Sequence, residues 1–400
     1  MTTTIDNEHK TFNVPNLRFP EFEGEWQEKR LSDIADLSKG IGISKDQLSA
    51  DGEPCILYGE LYTKYKSETI KEVISKTNID NTKLVKSKAN DVIIPCSGET
   101  AEEIATARCV LKDDILLGGD LNIIRLHGYD GSFMSYQLNG KRKYDIAKVA
   151  QGVSVVHLYG EHLKNIKTIN PSLNEQKKIA NLLSLLDERI STQNKIIDKL
   201  QSLIKGISNR LLYADNSMSI RIEEMLIERS ERTKKNNQYE VLSSTMNGIF
   251  SQRDYFSKDI ASDNNVGYKI IHLHDIVLSP QNLWMGNINF NDKFDIGIVS
   301  PSYKVFSIAD GFDKKYVAAL LKTHHALYNY MLVSEQGASI VRRNLNYEAF
   351  EQLVFKIPSL NKQREIGHAI SLLKSRLENA NLLIKTYNSQ KQFMIRQMFI

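Results

Sequence analysis

The chain has 400 residues, 41% of them hydrophobic and 25% charged, which is the composition of ordinary globular domains and is enough for two or three. The formal net charge of +4 decides little about partners, because a basic face is often balanced by acid elsewhere. No run approaches the roughly 18 apolar residues a membrane span needs. Residues Met1 to Lys10 are polar and do not read as a signal peptide, so an intracellular protein is expected.

In chain order, residues 1–25 form a lead-in that carries Leu17-Arg18-Phe19-Pro20-Glu21-Phe22 and is expected to clamp onto the first globular unit. Trp26 reads first as a core residue. That globular unit spans 26–170. Lys39-Gly40-Ile41-Gly42 lacks the third glycine of a dinucleotide fingerprint and reads as a loop. Cys55, Cys96 and Cys109 have no C-x-x-C spacing, so they read as buried thiols and not as a zinc site or a disulfide framework. Asp91-Val92-Ile93-Ile94 and Leu121 to Leu126 read as strands. A helix is expected over 171–215. A second unit spans 216–357, with strands at Lys269-Ile270-Ile271, Asp275-Ile276-Val277-Leu278 and Ser302 to Phe306, and a helix over Lys314 to Leu332. A second long helix fills 358–400.

The chain repeats itself. Pro171-Ser172-Leu173-Asn174-Glu175-Gln176 recurs as Pro358-Ser359-Leu360-Asn361-Lys362-Gln363, an offset of 187 residues. Over 171–194 this register gives 11 identities in 24 positions, far above chance, so duplication is the explanation. Upstream, Gln151-Gly152-Val153-Ser154-Val155 resembles Gln336-Gly337-Ala338-Ser339-Ile340, and the Asp91 strand resembles the Asp275 strand. The globular parts have diverged more than the helix starts.

Both helices carry a seam of alternating four- and three-residue steps. In the first it runs through Ile179, Leu183, Leu186, Ile190, Ile197, Leu200 and Ile204, with Gln193 as a polar interruption. In the second it runs through Ile366, Ile370, Leu373, Leu377, Ala380 and Ile384, with Lys391 as the exception. Such a heptad stripe needs a partner helix, and an antiparallel coiled coil between the two is the simplest solution. The fold class expected is α+β: two α/β units separated by two long helices in an antiparallel coiled coil, a pseudo-two-fold repeat. Lys391 is read as leaving the far end of the second helix to pack on something other than its mate.

Catalytic motifs are missing from the sequence. There is no phosphate-binding G-x-x-x-x-G-K-[ST], no H-E-x-x-H, and no Asn-Pro-Pro-aromatic segment. His324 and His325 are adjacent and face different sides of a helix. Residue types that contact DNA bases and phosphates do cluster. Gln151, Gly152, Ser154 and His157 in unit one match Gln336, Gly337, Ser339, Arg342, Arg343 and Asn344 in unit two. The loops after the paired strands add Ser97, Gly98 and Thr100, and Gln281, Asn282 and Trp284. Lys39, Lys45 and Arg108 are candidate phosphate contacts.

Two divergent units alternating with two related helices, each opened by P-S-L-x-x-Q and continued by I and S-L-L, resemble the specificity subunit of type I restriction–modification enzymes. The Leu17 to Phe22 lead-in with Trp26, Leu31, Asp33 and Ile34 after it, and the Q-G-x-S before each helix, resemble that family too. The resemblance implies that each unit is a target recognition domain reading one half of a split double-stranded DNA site. It implies a coiled coil that sets the spacer and docks two modification (methyltransferase) subunits. It implies no catalysis in this chain and no cofactor of its own, with S-adenosylmethionine, ATP and Mg held by partner modification and restriction subunits. It implies the cytoplasm of a bacterium or archaeon. The competing readings are a coiled-coil scaffold that binds proteins without DNA specificity, and a self-contained nuclease.

Overall fold

The computed structural model describes residues 13–80, 82–152, 155–211, 218–255, 264–336 and 343–400. The chain forms two compact units, Met1–Asn194 with Leu382–Ile400, and Lys195–Asn381. Each long helix is therefore divided between them. Among the described residues, no helix is long and apolar enough to cross a membrane.

Both units are closed in the same way. In unit one the strand Gln27–Arg30 pairs antiparallel with Lys167–Asn170, and in unit two Met218–Arg221 pairs with Val354–Ile357. One helical turn comes after the first strand of each pair. Asp33 accepts from the Arg30 amide at 3.0 Å, and Glu224 accepts from the Arg221 amide at 3.0 Å, which satisfies a donor that a helix start leaves orphaned.

The central sheets share a plan. Unit one orders Ala35–Lys39, Leu121–Leu126, Asp91–Pro95, Arg108–Val110 and Thr69–Ile70; unit two orders Leu226–Glu228, Lys304–Ile308, Ile276–Leu278 and Ile288–Phe290. The middle strands are buried along their length, as their unbroken apolar runs require. Asp91 and Asp275 stand at the start of these strands with the same job. Each accepts from a backbone amide three residues back, Lys88 at 2.8 Å and His272 at 2.9 Å, and each pairs with an arginine, Arg125 and Arg229.

The helices are Leu173–Leu211 and Leu360–Met398, 39 residues each, or about 58 Å at 1.5 Å per residue. Gln176 anchors the first start: its Nε2 donates to the Pro171 carbonyl at 2.8 Å and its Oε1 accepts from the Asp130 amide at 2.9 Å. Gln363 repeats this with Pro358 at 2.9 Å and Asp313 at 3.0 Å. Asp130 and Asp313 are themselves the caps of helices starting at Gly131 and Lys314. The repeated glutamine thus fastens each long helix to a helix of its own unit.

The residues of the helix stripe fall into two groups by burial. Ile179, Leu183, Leu186, Ile197, Ile366 and Ile370 are buried, and Ile190, Leu200, Ile204, Leu373, Leu377 and Ile384 are half-buried. In unit one, Ile179, Leu183 and Leu186 pack with Ile395, Met398 and Phe399. In unit two, Ile207 packs with Ile366 and Ile370. Early residues of one helix thus meet late residues of the other in each unit, which is antiparallel packing. Each fully buried Leu or Ile contributes roughly 1.5–3 kcal/mol relative to exposure.

Two expectations need correction. Lys391 does not release the second helix from its mate: its ammonium pairs with Asp187 of the first helix at 2.6 Å and also with Glu68. A buried cation is tolerable here because two carboxylates face it. The helix read over Lys314 to Leu332 is two, Lys314–Leu320 and His324–Leu332, because Thr323 stops the first and caps the second by accepting from the Ala326 amide at 3.2 Å. Trp26 is a core residue, as read from the sequence. It is 2% exposed, and its indole also donates to Glu175 at 3.3 Å, where Arg18 of the lead-in makes two bonds of 2.8 Å.

Candidate nucleic-acid interface

In unit one the loop after the Asp91–Pro95 strand meets the hairpin that ends at His157. Val156 pairs with Gly98 and His157 with Ser97, and the Leu158 amide donates to the Cys96 carbonyl at 2.8 Å. Gln151 and His157 exchange backbone bonds of 2.9 and 2.7 Å, which closes the hairpin. Gly152 is required there. Its φ is +124°, and a Cβ would lie 2.1 Å from the Val155 carbonyl oxygen. Tyr159 stacks against His157 with ring centroids 6.2 Å apart, and the Lys39 ammonium sits 5.7 Å from the centre of the Tyr159 ring. Lys39, Gln151, Gly152, His157 and Tyr159 are exposed, and Ser97 and Gly98 are half-exposed. The result is one solvent-facing group with a cation, an imidazole, an aromatic face and open backbone.

Unit two brings the equivalent segments together with different side chains. Gln336 pairs with Arg343, and Glu335 with Asn344. The Arg343 amide donates to the Gln281 carbonyl at 3.2 Å. The Arg343 guanidinium lies 5.0 Å from the centre of the Trp284 ring, a cation–π contact that holds its plane in one orientation. Gln281, Gln336 and Asn344 are exposed, and Asn282, Trp284 and Arg343 are half-exposed. A guanidinium fork and amide groups of this kind are suited to guanine and adenine edges.

Other expected residues fall elsewhere. Arg108 is 8% exposed, and its guanidinium donates to the carbonyls of Tyr65 and Ala107. It is therefore an interior residue and not a phosphate contact. Thr100 uses its hydroxyl to cap Ala101–Ile104 by accepting from the Glu103 amide at 3.2 Å. Lys45 is exposed on a separate turn, Lys45–Gln47, beside the second sheet of unit one. Ser154, Gly337, Ser339 and Arg342 lie outside the described residues. Tyr159 is a member that residue type and spacing did not single out. Its signal was an aromatic two residues beyond His157, in the same hairpin exit.

Burial pushes the Cys55 and Cys96 thiols up to about 11 and Cys109 up to about 12, so they stay protonated near neutrality. Among the described residues, no group of three His, Cys, Asp or Glu side chains is placed to hold a metal ion.

Two α/β units that each present one such loop-and-hairpin surface, and two long helices opened by the same glutamine lock, define an internally duplicated protein. Residues 23–202 match the family model of the type I restriction modification DNA specificity domain, a stretch that takes in the first globular region and most of the helix after it. The chain is 29% identical over 196 residues to the type I restriction enzyme MjaVIII specificity subunit of Methanocaldococcus jannaschii. That match covers 49% of this chain and 43% of the relative, so it spans less than half of the relative's length. The fold is similar over nearly the whole chain to the crystal structure of the type I restriction–modification system S subunit from M. genitalium. The TM-score is 0.64 at 15% identity, over 97% of this chain and 99% of that one.

Proposed function

We propose that the protein is the specificity subunit of a type I restriction–modification complex and reads a bipartite double-stranded DNA target, one half through each unit. The observation that carries this is the repeated meeting of the same two segments. In both units a loop after the central strand joins a hairpin at its base, while the side chains offered differ: Lys39, His157 and Tyr159 in one, Gln281, Trp284 and Arg343 in the other. A kept frame with exchanged surface groups is what two different half-sites require. The helix pair sets the unread spacer and docks the methyltransferase subunits. The chain supplies no catalysis; S-adenosylmethionine, ATP and Mg belong to the partner subunits.

Methylome sequencing of cells that express the chain with its methyltransferase partner tests this. One split motif is expected. Arg343→Ala is expected to relax one half-site by about 1–3 kcal/mol of base discrimination and to leave the other unchanged. Deleting one heptad from both helices is expected to change the spacer and keep both half-sites. An unchanged spacer would sink the ruler role. A gel shift that shows no DNA binding with the partner present would favour the protein-binding scaffold instead.

A further inference from the structure

The two halves of the repeat differ sharply at one layer of the helix pair. In unit one this layer is filled. The Tyr136 hydroxyl donates to Asp187 at 2.6 Å, and the Lys391 ammonium pairs with the same carboxylate at 2.6 Å, with Glu68 as a second partner. Tyr136 is fully buried and Lys391 is 8% exposed.

The repeat fixes the corresponding residues in unit two. The helix register that matches Gln176 to Gln363 matches Asp187 to Lys374, and Ile204 to Lys391. The caps Asp130 and Asp313 match Tyr136 to Ala319, and Asn139 to Lys322. An aromatic ring has become a methyl group, the buried cation has become an isoleucine, and the carboxylate has become a lysine.

The consequence is a cavity of about 330 Å³ lined by those same residues, Ile204, Ala319, Lys322 and Lys374, together with Ile370 and Lys205. That volume lies at the lower end of what small-molecule sites have. Its walls combine aliphatic Ile204, Ala319, Ile370 and Leu377 with polar Gln201, Ser208, Asn209, Thr323 and His324, and its lysines bring ammonium groups. Lys322 donates to the Asn289 side-chain oxygen at 2.6 Å and the Met246 carbonyl at 3.3 Å, both neutral. Among the described residues, no carboxylate lines the cavity; Asp292 and Glu378 act on Lys374 from outside it, and Glu378 is engaged by Lys293 at 3.8 Å. Burial pushes Lys322 down to about 8, and the charge of Lys374 adds to that push.

We propose that this cavity binds a small organic anion, an apolar or aromatic group bearing one phosphate or carboxylate, which fills the space that the Tyr136 ring fills in unit one. The anion stands in for the carboxylate that the lysine replaced. Because the apolar walls contribute as well as the lysines, an anion without an apolar group binds poorly.

Calorimetric titration of the full chain with phenyl phosphate, phenylacetate, inorganic phosphate and phenol tests this. Saturable binding of phenyl phosphate or phenylacetate is expected, and the stronger of the two identifies the acidic group. Inorganic phosphate and phenol are each expected to bind roughly tenfold or more weakly. Lys374→Met and Ala319→Tyr are each expected to abolish the stronger binding. Ligand-observed NMR on the unaltered chain gives a readout that does not depend on either variant folding. No binding to the unaltered chain near about 1 mM, equal binding of inorganic phosphate, or unchanged binding in a folded variant each overturns the proposal.

Discussion

Unit one and unit two are alike where they hold the helices and unlike where they fill the space between helix and domain. The strand closure, the single capped turn after it, the buried aspartate at the central strand and the glutamine at the helix start all occur twice with the same partners. The layer further along the helices does not. Unit one has a buried set of charges there, and unit two has aliphatic side chains, lysines and open volume. Hydrogen bonds to backbone atoms survive divergence because the backbone geometry they need has not changed. Side chains that meet only other side chains are free to change together.

The largest effect is expected where that difference is charged. Lys391→Met leaves Glu68 and Asp187 without the cation that faces them. Removing one partner from a buried ion set costs about 3–5 kcal/mol. The matching change in unit two, Ile204→Met, keeps volume and polarity and costs less than about 1.5 kcal/mol. Urea unfolding of the two variants checks this, and equal losses would show that the charge set contributes nothing special. Replacing all three groups, by Lys391→Met with Glu68→Gln and Asp187→Asn, is expected to recover only part of the loss, because the buried Arg108 guanidinium then loses the two carboxylate charges that favour it.

A smaller effect is expected where the units agree. Gln176→Ala and Gln363→Ala each remove two hydrogen bonds and leave the amide of a capping aspartate unpaired, a cost of about 1–3 kcal/mol. The two losses are expected to be similar, because the lock is the same. Glu175→Ala adds a contrast, for Arg18 and Trp26 both bond to Glu175, whereas its counterpart Lys362 is exposed and pairs with nearby Glu365. Hydrogen exchange at the first turn of each long helix reads these changes locally.

Much of this frame was legible in the sequence, for definite reasons. The helix pair shows itself as a heptad stripe because burial on a helix repeats every three or four residues. The glutamine shows itself as part of a repeated motif. Its job does not, since the amides it accepts from lie 46 and 50 residues upstream. Lys391 looks like a flaw in the stripe because Glu68 is 323 residues away. Arg108 looks like a surface cation because nothing in its neighbourhood along the chain reveals that the Tyr65 carbonyl is waiting for it. The break after Leu320 is hidden because Thr323 acts as a cap only once the chain turns there. The loop-and-hairpin groups stand out by residue type, but their meeting in space depends on strand pairings that no local pattern reveals.

The smallest effect expected is a dependence on pH that belongs to unit two. Lys322 is pushed from an ordinary 10.5 down to about 8, by burial first and by the charge of Lys374 second. Between those two values the unfolded chain binds a proton at Lys322 that the folded chain does not, so stability rises with pH through that window. As pH falls through about 8, the folded protein must hold the ammonium in the cavity wall, and the advantage is lost. Lys322→Met removes the titration. The stability difference between the unaltered chain and this variant is expected to change with pH above 8, in favour of the unaltered chain, by less than about 1.4 kcal/mol per pH unit. Asn139→Met, at the matching place in unit one, is expected to show no such change. Parallel urea titrations at about pH 7, 8 and 9 separate the two. A difference that stays flat for Lys322→Met would mean that water already reaches the ammonium, and that unit two's lysines are solvated in a way unit one's buried charges are not.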